Sequence, residues 1–478
     1  MPSRHRLTIL LLAAALLAGG MFLPARGADE APSGQKLYLP WVGNRACNAL
    51  PSPSLFGVQM YGPTGEESPY LPSLQASGAR WLRVSVDWRQ IEPHNTTPDQ
   101  YDWRHADRVL AAAQDACVHI IATHRSAPAW AASNPDGQID RTNLDELAEY
   151  LTALVERYDG DGKDDAPGSP VVRHWELYNE PDVESQTGTA WGDAPHKYAA
   201  MLKKAYPAIK QASPKARVLL GGLAYDAFTD KGGWFNREFL EGVINAGGGG
   251  YFDIMNFHSF PTLGGYWTKQ GPSLLGPGLL EKTEHIRDEL KRLGVKPKPI
   301  FITETGHYVK TDGSFPASPE IQARYVAQLY AQALAADVEA LIWFTLYDLD
   351  YVEDVNWYGL VTKDSPPVRR PAFDAFRFAA TQLNAVHYER QLSAAETGAS
   401  DMEVYHFIDP ARRLDIHVAW LNPIDTKSTK PLVLPGSRAV VRDVFGKPIV
   451  VLDGDDGKAD GRVTVQVGGQ AVYVEIER

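Results

Sequence analysis

The sequence predicts an α/β fold: a (β/α)8 TIM barrel followed by a small C-terminal all-β sandwich domain. Three observations carry that expectation. From about residue 55 to 383, eight short apolar runs alternate with helical patterns, which is how βα units read in sequence. After residue 384 the pattern changes to short alternating strands separated by turn residues. Two of the eight apolar runs also end in a glutamate, where a barrel gathers its functional groups.

Residues 1–27 read as an export signal. Arg4 and Arg6 are its basic part, Leu7 to Leu23 its apolar stretch, and Ala25-Arg26-Gly27 places small residues where a signal peptidase cuts. The stretch is short for a membrane-spanning helix. Cleavage leaves no integral span in the mature chain; a retained anchor is the alternative. Residues 28–54 form an extended lead-in. Residues 55–383 form the barrel, and its strand candidates are 55–60, 81–86, 119–123, 171–178, 218–222, 252–257, 300–304 and 340–345. Between them, Leu144, Leu147, Leu151, Leu154 and Tyr158 recur at helical spacing. Ser318-Pro319-Glu320 reads as a helix start, with an N-cap serine and proline in the first turn. Residues 384–478 form the sandwich. There Leu414, Ile416, Val418 and Trp420 alternate with other residues, as do Val463, Val465 and Val467. The unit has few aromatics, among them Tyr405, Phe407, Trp420 and Tyr473; they fit either a packing module or a separate binding module, and a packing module is the expectation.

The chain has 478 residues, of which 44% are hydrophobic and 22% charged, ordinary values for a globular protein. Lys plus Arg is 47 against 59 Asp plus Glu, a net charge of -12, which argues against nucleic acid and anionic membranes as partners. Cys47 and Cys117 are the two cysteines, both expected at the N-terminal face of the barrel. That geometry permits a disulfide without requiring one, two free buried thiols being the alternative, and their spacing excludes a cysteine-rich metal site. Asp159-Gly160-Asp161-Gly162-Lys163-Asp164-Asp165 has the acid and glycine spacing of a calcium loop but lacks a closing bidentate Glu. Asp348, Asp350 and Asp354 follow the eighth strand and read either as substrate contacts or as a solvated loop.

Glu180 closes His174-Trp175-Glu176-Leu177-Tyr178-Asn179-Glu180, and Glu304 closes Ile300-Phe301-Ile302-Thr303-Glu304. On strands four and seven they face one another across the barrel mouth. Glycosidic cleavage needs such a pair: one carboxyl protonates the leaving oxygen, the other meets the developing positive charge. The proton donor must titrate above a free carboxyl, and repulsion between the two carboxylates holds the proton on one of them. Arg83, inside an apolar strand, is expensive to bury unpaired and is expected to pair with Glu304.

With both glutamates on strands four and seven, the chain resembles the clan A retaining glycoside hydrolases. Asn179-Glu180-Pro181 matches the acid/base motif of that clan, and Ile302-Thr303-Glu304-Thr305 its nucleophile strand. Trp88-Arg89-Gln90-Ile91-Glu92-Pro93, Tyr101-Asp102-Trp103 and Ala127-Pro128-Ala129-Trp130-Ala131 make it most similar to family 39 and its relatives, with family 5 the nearest alternative. The resemblance covers about residues 55–383. It implies Glu180 as acid/base, Glu304 as nucleophile and Asn179 as the partner of the sugar 2-hydroxyl. It also implies substrate contacts from Arg83, His124, His258 and Trp343, the last as a stacking platform. The clan usually carries His-x-Tyr after strand six; here it is His258-Ser259-Phe260, and Tyr308 or another tyrosine would have to replace the phenol.

The resulting expectation is a secreted or cell-surface retaining glycosidase. It cleaves O-glycosidic bonds, expected to be β, of a polysaccharide or oligosaccharide. It uses no cofactor and no catalytic metal, with a structural calcium as the one exception considered. The alternative is a non-catalytic carbohydrate-binding barrel, against which the presence of both glutamates and Asn179 counts.

Overall fold

The computed structural model describes residues 52–61, 68–267, 276–310, 315–349 and 357–478. The signal segment, most of the lead-in, Cys47, Asp350 and Asp354 lie outside the described residues. In chain order the barrel elements are β1 (Phe56–Gln59), α1 (Leu71–Ser77), β2 (Trp81–Asp87), α2 (Trp88–Ile91), α3 (Arg104–Asp115), β3 (His119–Arg125), α4 (Leu144–Arg157), β4 (His174–Asn179) and α5 (Pro195–Ala212). There follow β5 (Arg217–Gly222), α6 (Phe239–Asn245), β6 (Met255–His258), α7 (Leu279–Arg292), β7 (Ile300–Thr305), α8 (Pro319–Ala335), β8 (Ala340–Trp343) and α9 (Pro371–Gln382). The strands pair in the order β5-β4-β3-β2-β1-β8-β7-β6. Bridges Leu219–Ile254 and Leu223–Phe257 join β5 to β6 and bring the sheet round on itself.

Local chemistry accounts for the helix starts. Asn143 caps α4 by accepting from the Asp145 amide at 2.7 Å. Ser318 caps α8 by accepting from the Ile321 amide at 3.1 Å, with Pro319 where a missing N–H costs nothing.

The barrel interior is built in layers. The lower layer is apolar: Trp81, Ile121, Leu219, Ile254, Phe301, Ala340 and Ile342. Gly57 belongs to this level by necessity, since a Cβ there would stand 2.3 Å from Ile342 Cδ1 and 2.7 Å from Trp81 Cβ. Above it lies a wholly buried polar layer of Gln59, Arg83, Thr123, Glu176, Asn256 and Thr303. The side chains of the catalytic face stand on that layer.

The C-terminal unit comprises β9 (His387–Gln391), β10 (Met402–Asp409), β11 (Leu414–Leu421), β12 (Lys430–Pro435), β13 (Arg438–Arg442), β14 (Pro448–Leu452), β15 (Arg462–Val467) and β16 (Val472–Glu477). Six strands pair as β14-β13-β16-β11-β10-β9 and two as β12-β15. One face of the large sheet packs on the small one through Val404, Leu421, Leu432, Val465 and Val474. Its other face joins the barrel core, with Tyr405, Phe407, Trp420 and Tyr473 all fully buried. Phe378 of α9 meets Tyr473 edge-on, and Gln332 of α8 donates to Glu403. These four aromatics are thus packing residues, as a packing module requires, while Tyr388 and Phe445 are exposed. Cys117, just before β3, is disulfide-bonded.

Phe301 is the bulky phenyl ring of the lower layer and is fully buried there. Phe301→Ala is expected to lower the unfolding free energy by about 3–5 kcal/mol, measured as a shift in the denaturant midpoint with an unchanged slope.

Candidate active site

The geometry starts from Arg83. Its side chain is 2% exposed and uses all five N–H donors of a guanidinium. Nε donates to Glu176 Oε2 at 2.7 Å, and Nη2 to Glu176 Oε1 at 3.1 Å and to Asn179 Oδ1 at 2.7 Å. Nη1 donates to Gln59 Oε1 at 2.8 Å and to Glu304 Oε1 at 2.5 Å. Burial opposes its charge, but Glu176 and Glu304 more than offset that and hold it firmly protonated. The expected Arg83–Glu304 pair is present, and Arg83 also clamps Asn179.

Glu176 was missed in the sequence. It is fully buried and also accepts from Asn256 Nδ2 at 2.6 Å, Thr303 Oγ1 at 2.9 Å, the Gly222 amide at 3.2 Å and Thr123 Oγ1. The argument that singled out Arg83, a charge inside an apolar strand, applies equally to Glu176 and would have found it. Arg125 was missed as well. It ends β3, is 6% exposed, and grips Asp136 through Nη2 at 2.7 Å. Its charge bears on both Glu180 and Glu304.

After Leu177 the chain leaves regular β geometry. Tyr178 and Glu180 take left-handed φ values of 69° and 44°, a conformation that costs a non-glycine residue on the order of 1–3 kcal/mol. The Glu180 amide is held by Gly222 O at 2.8 Å. This bend turns the Glu180 carboxyl toward Glu304. The ladder between β6 and β7 shifts register at Phe257/His258, and such irregularities re-aim side chains. His258 Nδ1 then lies 3.0 Å from Glu180 Oε1 and 3.6 Å from Glu304 Oε2. One ligating atom from each of Glu180, His258 and Glu304 lies within 4.8 Å of the others.

His258 sits this deep because residue 222 is glycine: a Cβ there would stand 2.3 Å from His258 Nε2. Burial, then Arg83 and Lys282, push the imidazole well below its usual titration range, so it is neutral. Among the described residues Nε2 has no hydrogen-bond partner, which assigns the proton to Nδ1 and makes His258 a donor to the carboxylates. Lys282 of α7 fixes the backbone here, donating to His258 O at 2.8 Å and Ala224 O at 2.7 Å and pairing with Asp226.

The two carboxyls differ in environment. Burial raises both. Glu304 is pulled back by Arg83, whereas Glu180 is pushed well above the carboxyl range by burial, by Glu304 and by Asp182. The pair therefore holds its first proton on Glu180. Asp182, whose own carboxyl burial raises to about 6, accepts from the Ala224 and Tyr225 amides at 3.0 and 2.8 Å. The oxygen and nitrogen donors of Glu180, His258 and Glu304 would suit a cation in type, but the Arg83 guanidinium already occupies Glu304 Oε1.

Two expectations need correction. Trp343 is not at the barrel mouth. Ile342 points into the lumen, so Trp343, one residue on, points out; it is fully buried with Nε1 donating to Tyr358 O at 3.2 Å. Phe344 is the aromatic turned toward the mouth, against Tyr61, Phe260 and Tyr358. His124 is likewise out of phase with Thr123, which reaches Glu176. It lies among Trp88, Tyr150 and Tyr178, and burial lowers its pKa to about 3. Tyr308 stacks on His307 and meets Tyr358 edge-on, and His258 Nδ1 stands as a donor beside both carboxylates. Asp348 is held by Arg370 at 2.7 Å and is buried structure. Carboxylate oxygens of Asp159, Asp161 and Asp165 lie within 4.8 Å of one another, in the turn that leaves α4 for the far end of the barrel.

The sequence model of the cellulase family (glycosyl hydrolase family 5) matches residues 44–344. The chain belongs to glycoside hydrolase family 5. It is a glycosidase of clan A, as its motifs implied, in the family they placed next to family 39. No curated protein matches the sequence. Among solved structures, a family 39 glycoside hydrolase from the gut symbiont Bacteroides cellulosilyticus WH2 superposes with a TM-score of 0.66 at 17% identity, covering 89% of this chain and 81% of that one. A glucosidase from Croceicoccus marinus gives 0.58 at 13% identity, covering 90% and 97%. The catalytic domain of GH30 xylanase C from Talaromyces cellulolyticus gives 0.57 at 16% identity, covering 89% and 98%. At these identities the likeness is one of fold.

In this family 5 enzyme, Arg83→Met would leave Glu176 and Glu304 buried without their counter-charge. The expected cost is about 3–5 kcal/mol of stability, read from chemical denaturation beside the wild type.

Proposed function

We propose that the enzyme is exported and cleaves β-linked O-glycosidic bonds of a poly- or oligosaccharide with retention of configuration. The observation that carries this is the spacing of Glu180 and Glu304, whose oxygens approach within 4.8 Å beside His258. Double displacement needs carboxyls about 5–5.5 Å apart, whereas inversion needs roughly 6.5–9.5 Å to admit a water.

In the first step Glu304 attacks the anomeric carbon while Glu180 passes its proton to the leaving oxygen. The glycosidic bond breaks and a glycosyl ester forms on Glu304. That ester carries no charge, so the repulsion that raised the Glu180 pKa falls away. Glu180, now a carboxylate, takes a proton from water as that water attacks the anomeric carbon and frees Glu304. Arg83 keeps Glu304 ionised before attack. Asn179, with Oδ1 fixed by Arg83, has its amide N–H groups for the sugar 2-hydroxyl, where contacts strengthen in the transition state. Both steps run on side chains of the chain and call for no cofactor. A cation at the Asp159 turn would be structural, because that turn opens the opposite end of the barrel.

Export is supported by the basic and apolar residues of 1–27 and by the disulfide at Cys117, which suits an oxidising compartment.

The test is release of reducing ends from β-linked polysaccharides and oligosaccharides, with the anomer of the first product read by NMR. Release with retained configuration, abolished in Glu304→Gln at equal folded concentration, is the expected result. Equal release by both proteins would sink the two-glutamate mechanism. Wild-type activity should fall at high pH as Glu180 loses its proton, at a midpoint above the ordinary carboxyl range. Glu180→Gln should remove that limb and cost about 10²–10⁴-fold on substrates with poor leaving groups, with a smaller loss on activated aryl glycosides.

A further inference from the structure

The turn between α4 and β4, residues 158–173, takes no part in the chemistry above. Its base is tied: the Ala166 amide donates to Arg157 O at 2.9 Å and the Val172 amide to Tyr158 O at 2.8 Å. Its far limb is fastened to α3, where Gln114 Oε1 accepts from the Val171 amide at 2.8 Å. Gly160 lets the turn close on that limb, since a Cβ there would stand 2.4 Å from Val171 Cγ2. Inside the turn, one carboxylate oxygen from each of Asp159, Asp161 and Asp165 lies within 4.8 Å of the others.

Acidic turns are common, and most are simply hydrated. Two observations set this one apart. Asp159 is only 5% exposed, and among the described residues its carboxylate accepts from a single group, the Asp161 amide at 3.0 Å. Asp165 Oδ1 is fully buried and, among the described residues, has no hydrogen-bond partner at all; only its other oxygen is engaged, by the Gly162 amide at 3.1 Å. No described cation pairs with any of the three carboxylates, and Lys163, in their midst, is turned away to Glu156 Oε1 at 3.3 Å. A buried carboxylate with neither a cation nor a side-chain donor loses its hydration without replacement. Two more carboxylates beside it add repulsion. A bound dication removes both costs at once.

We propose that Asp159, Asp161 and Asp165 hold a structural calcium ion. The side-chain donors are all oxygens, which select a hard cation over zinc or copper. Calcium takes about six to eight oxygens in flexible geometry, whereas magnesium demands a near-ideal octahedron. Three carboxylates from one short turn, with backbone carbonyls and water to complete the shell, suit calcium. The ion fixes the entry to β4, the strand that carries Glu176 and leads to Glu180. Its effect is on stability, because a ligand that binds only the folded chain stabilises it in proportion to the logarithm of its concentration. The site stands at the end of the barrel away from Glu180, so it does not depend on the glycosidase reading.

The test uses the purified chain, stripped with a chelator and then dialysed. Calcium chloride is titrated in calorimetrically, and thermal unfolding is followed at rising calcium, with magnesium chloride as the comparison. Calcium should bind with a Kd at or below about 1 mM, and the unfolding midpoint should climb with calcium. Asp161→Asn and Asp165→Asn should each weaken binding about tenfold or more and flatten that climb. Asp161 is exposed, so its substitution leaves folding intact and keeps the test decisive should Asp165→Asn unfold. Binding that is unchanged in Asp161→Asn puts the ion elsewhere, such as the acidic run at 453–456 of the sandwich, and overturns the site. Absence of calcium binding by the wild type at several times that concentration overturns it outright. Magnesium binding as tightly as calcium overturns the identity of the ion.

Discussion

The catalytic face depends on one buried guanidinium. Arg83 stands in the middle of the barrel, above an apolar layer and below the mouth, with every N–H engaged. A charge there is tolerable only because two carboxylates face it, and those carboxylates are tolerable only because of it. Glu176 and Glu304 come from opposite strands, β4 and β7, so the ion cluster also sets the distance across the lumen. Gln59, Thr123, Asn256 and Thr303 complete the network, so the polar layer is satisfied rather than strained.

That network makes two chemically identical side chains different. Glu304 touches Arg83 and Glu180 does not. Burial acts on both, but only one has a cation in contact, and the proton goes to the other. His258 adds a neutral donor between them, kept neutral by burial and by the cations Arg83 and Lys282. The left-handed residues on either side of Asn179 show where strain is accepted to obtain this arrangement. The polar layer over-determines the positions that the strained bend then uses.

Farther out, the architecture separates duties. The sandwich gives Tyr405, Phe407, Trp420 and Tyr473 to the barrel interface and its small sheet to closing its own core. The β1–β3 rim carries polar groups that pair with one another or face a cavity. The eight-stranded scaffold holds both sets without sharing residues between them.

Much was legible in the sequence because it follows from local periodicity and composition. The eight strand runs, the helical spacing of α4, the capped start of α8, the switch to alternation after the barrel and the strand-end positions of Glu180 and Glu304 all need only spacing and propensity. Arg83 was legible too, because a charge in an apolar run must find a partner. Trp343 and His124 were misread because a motif match ignores phase: on a strand, a shift of one residue reverses the face. Alternation from Ile342 and from Thr123 would have corrected both. What the sequence by itself determined is the barrel, its order of elements and the pair of carboxylates that chemistry requires. Only the tertiary structure showed what holds the proton on Glu180, that Glu176 shares Arg83, and that His258 stands between them. Those are properties of distances between strands far apart in the chain, and electrostatic effects in a buried site are set by distance and desolvation rather than by residue type.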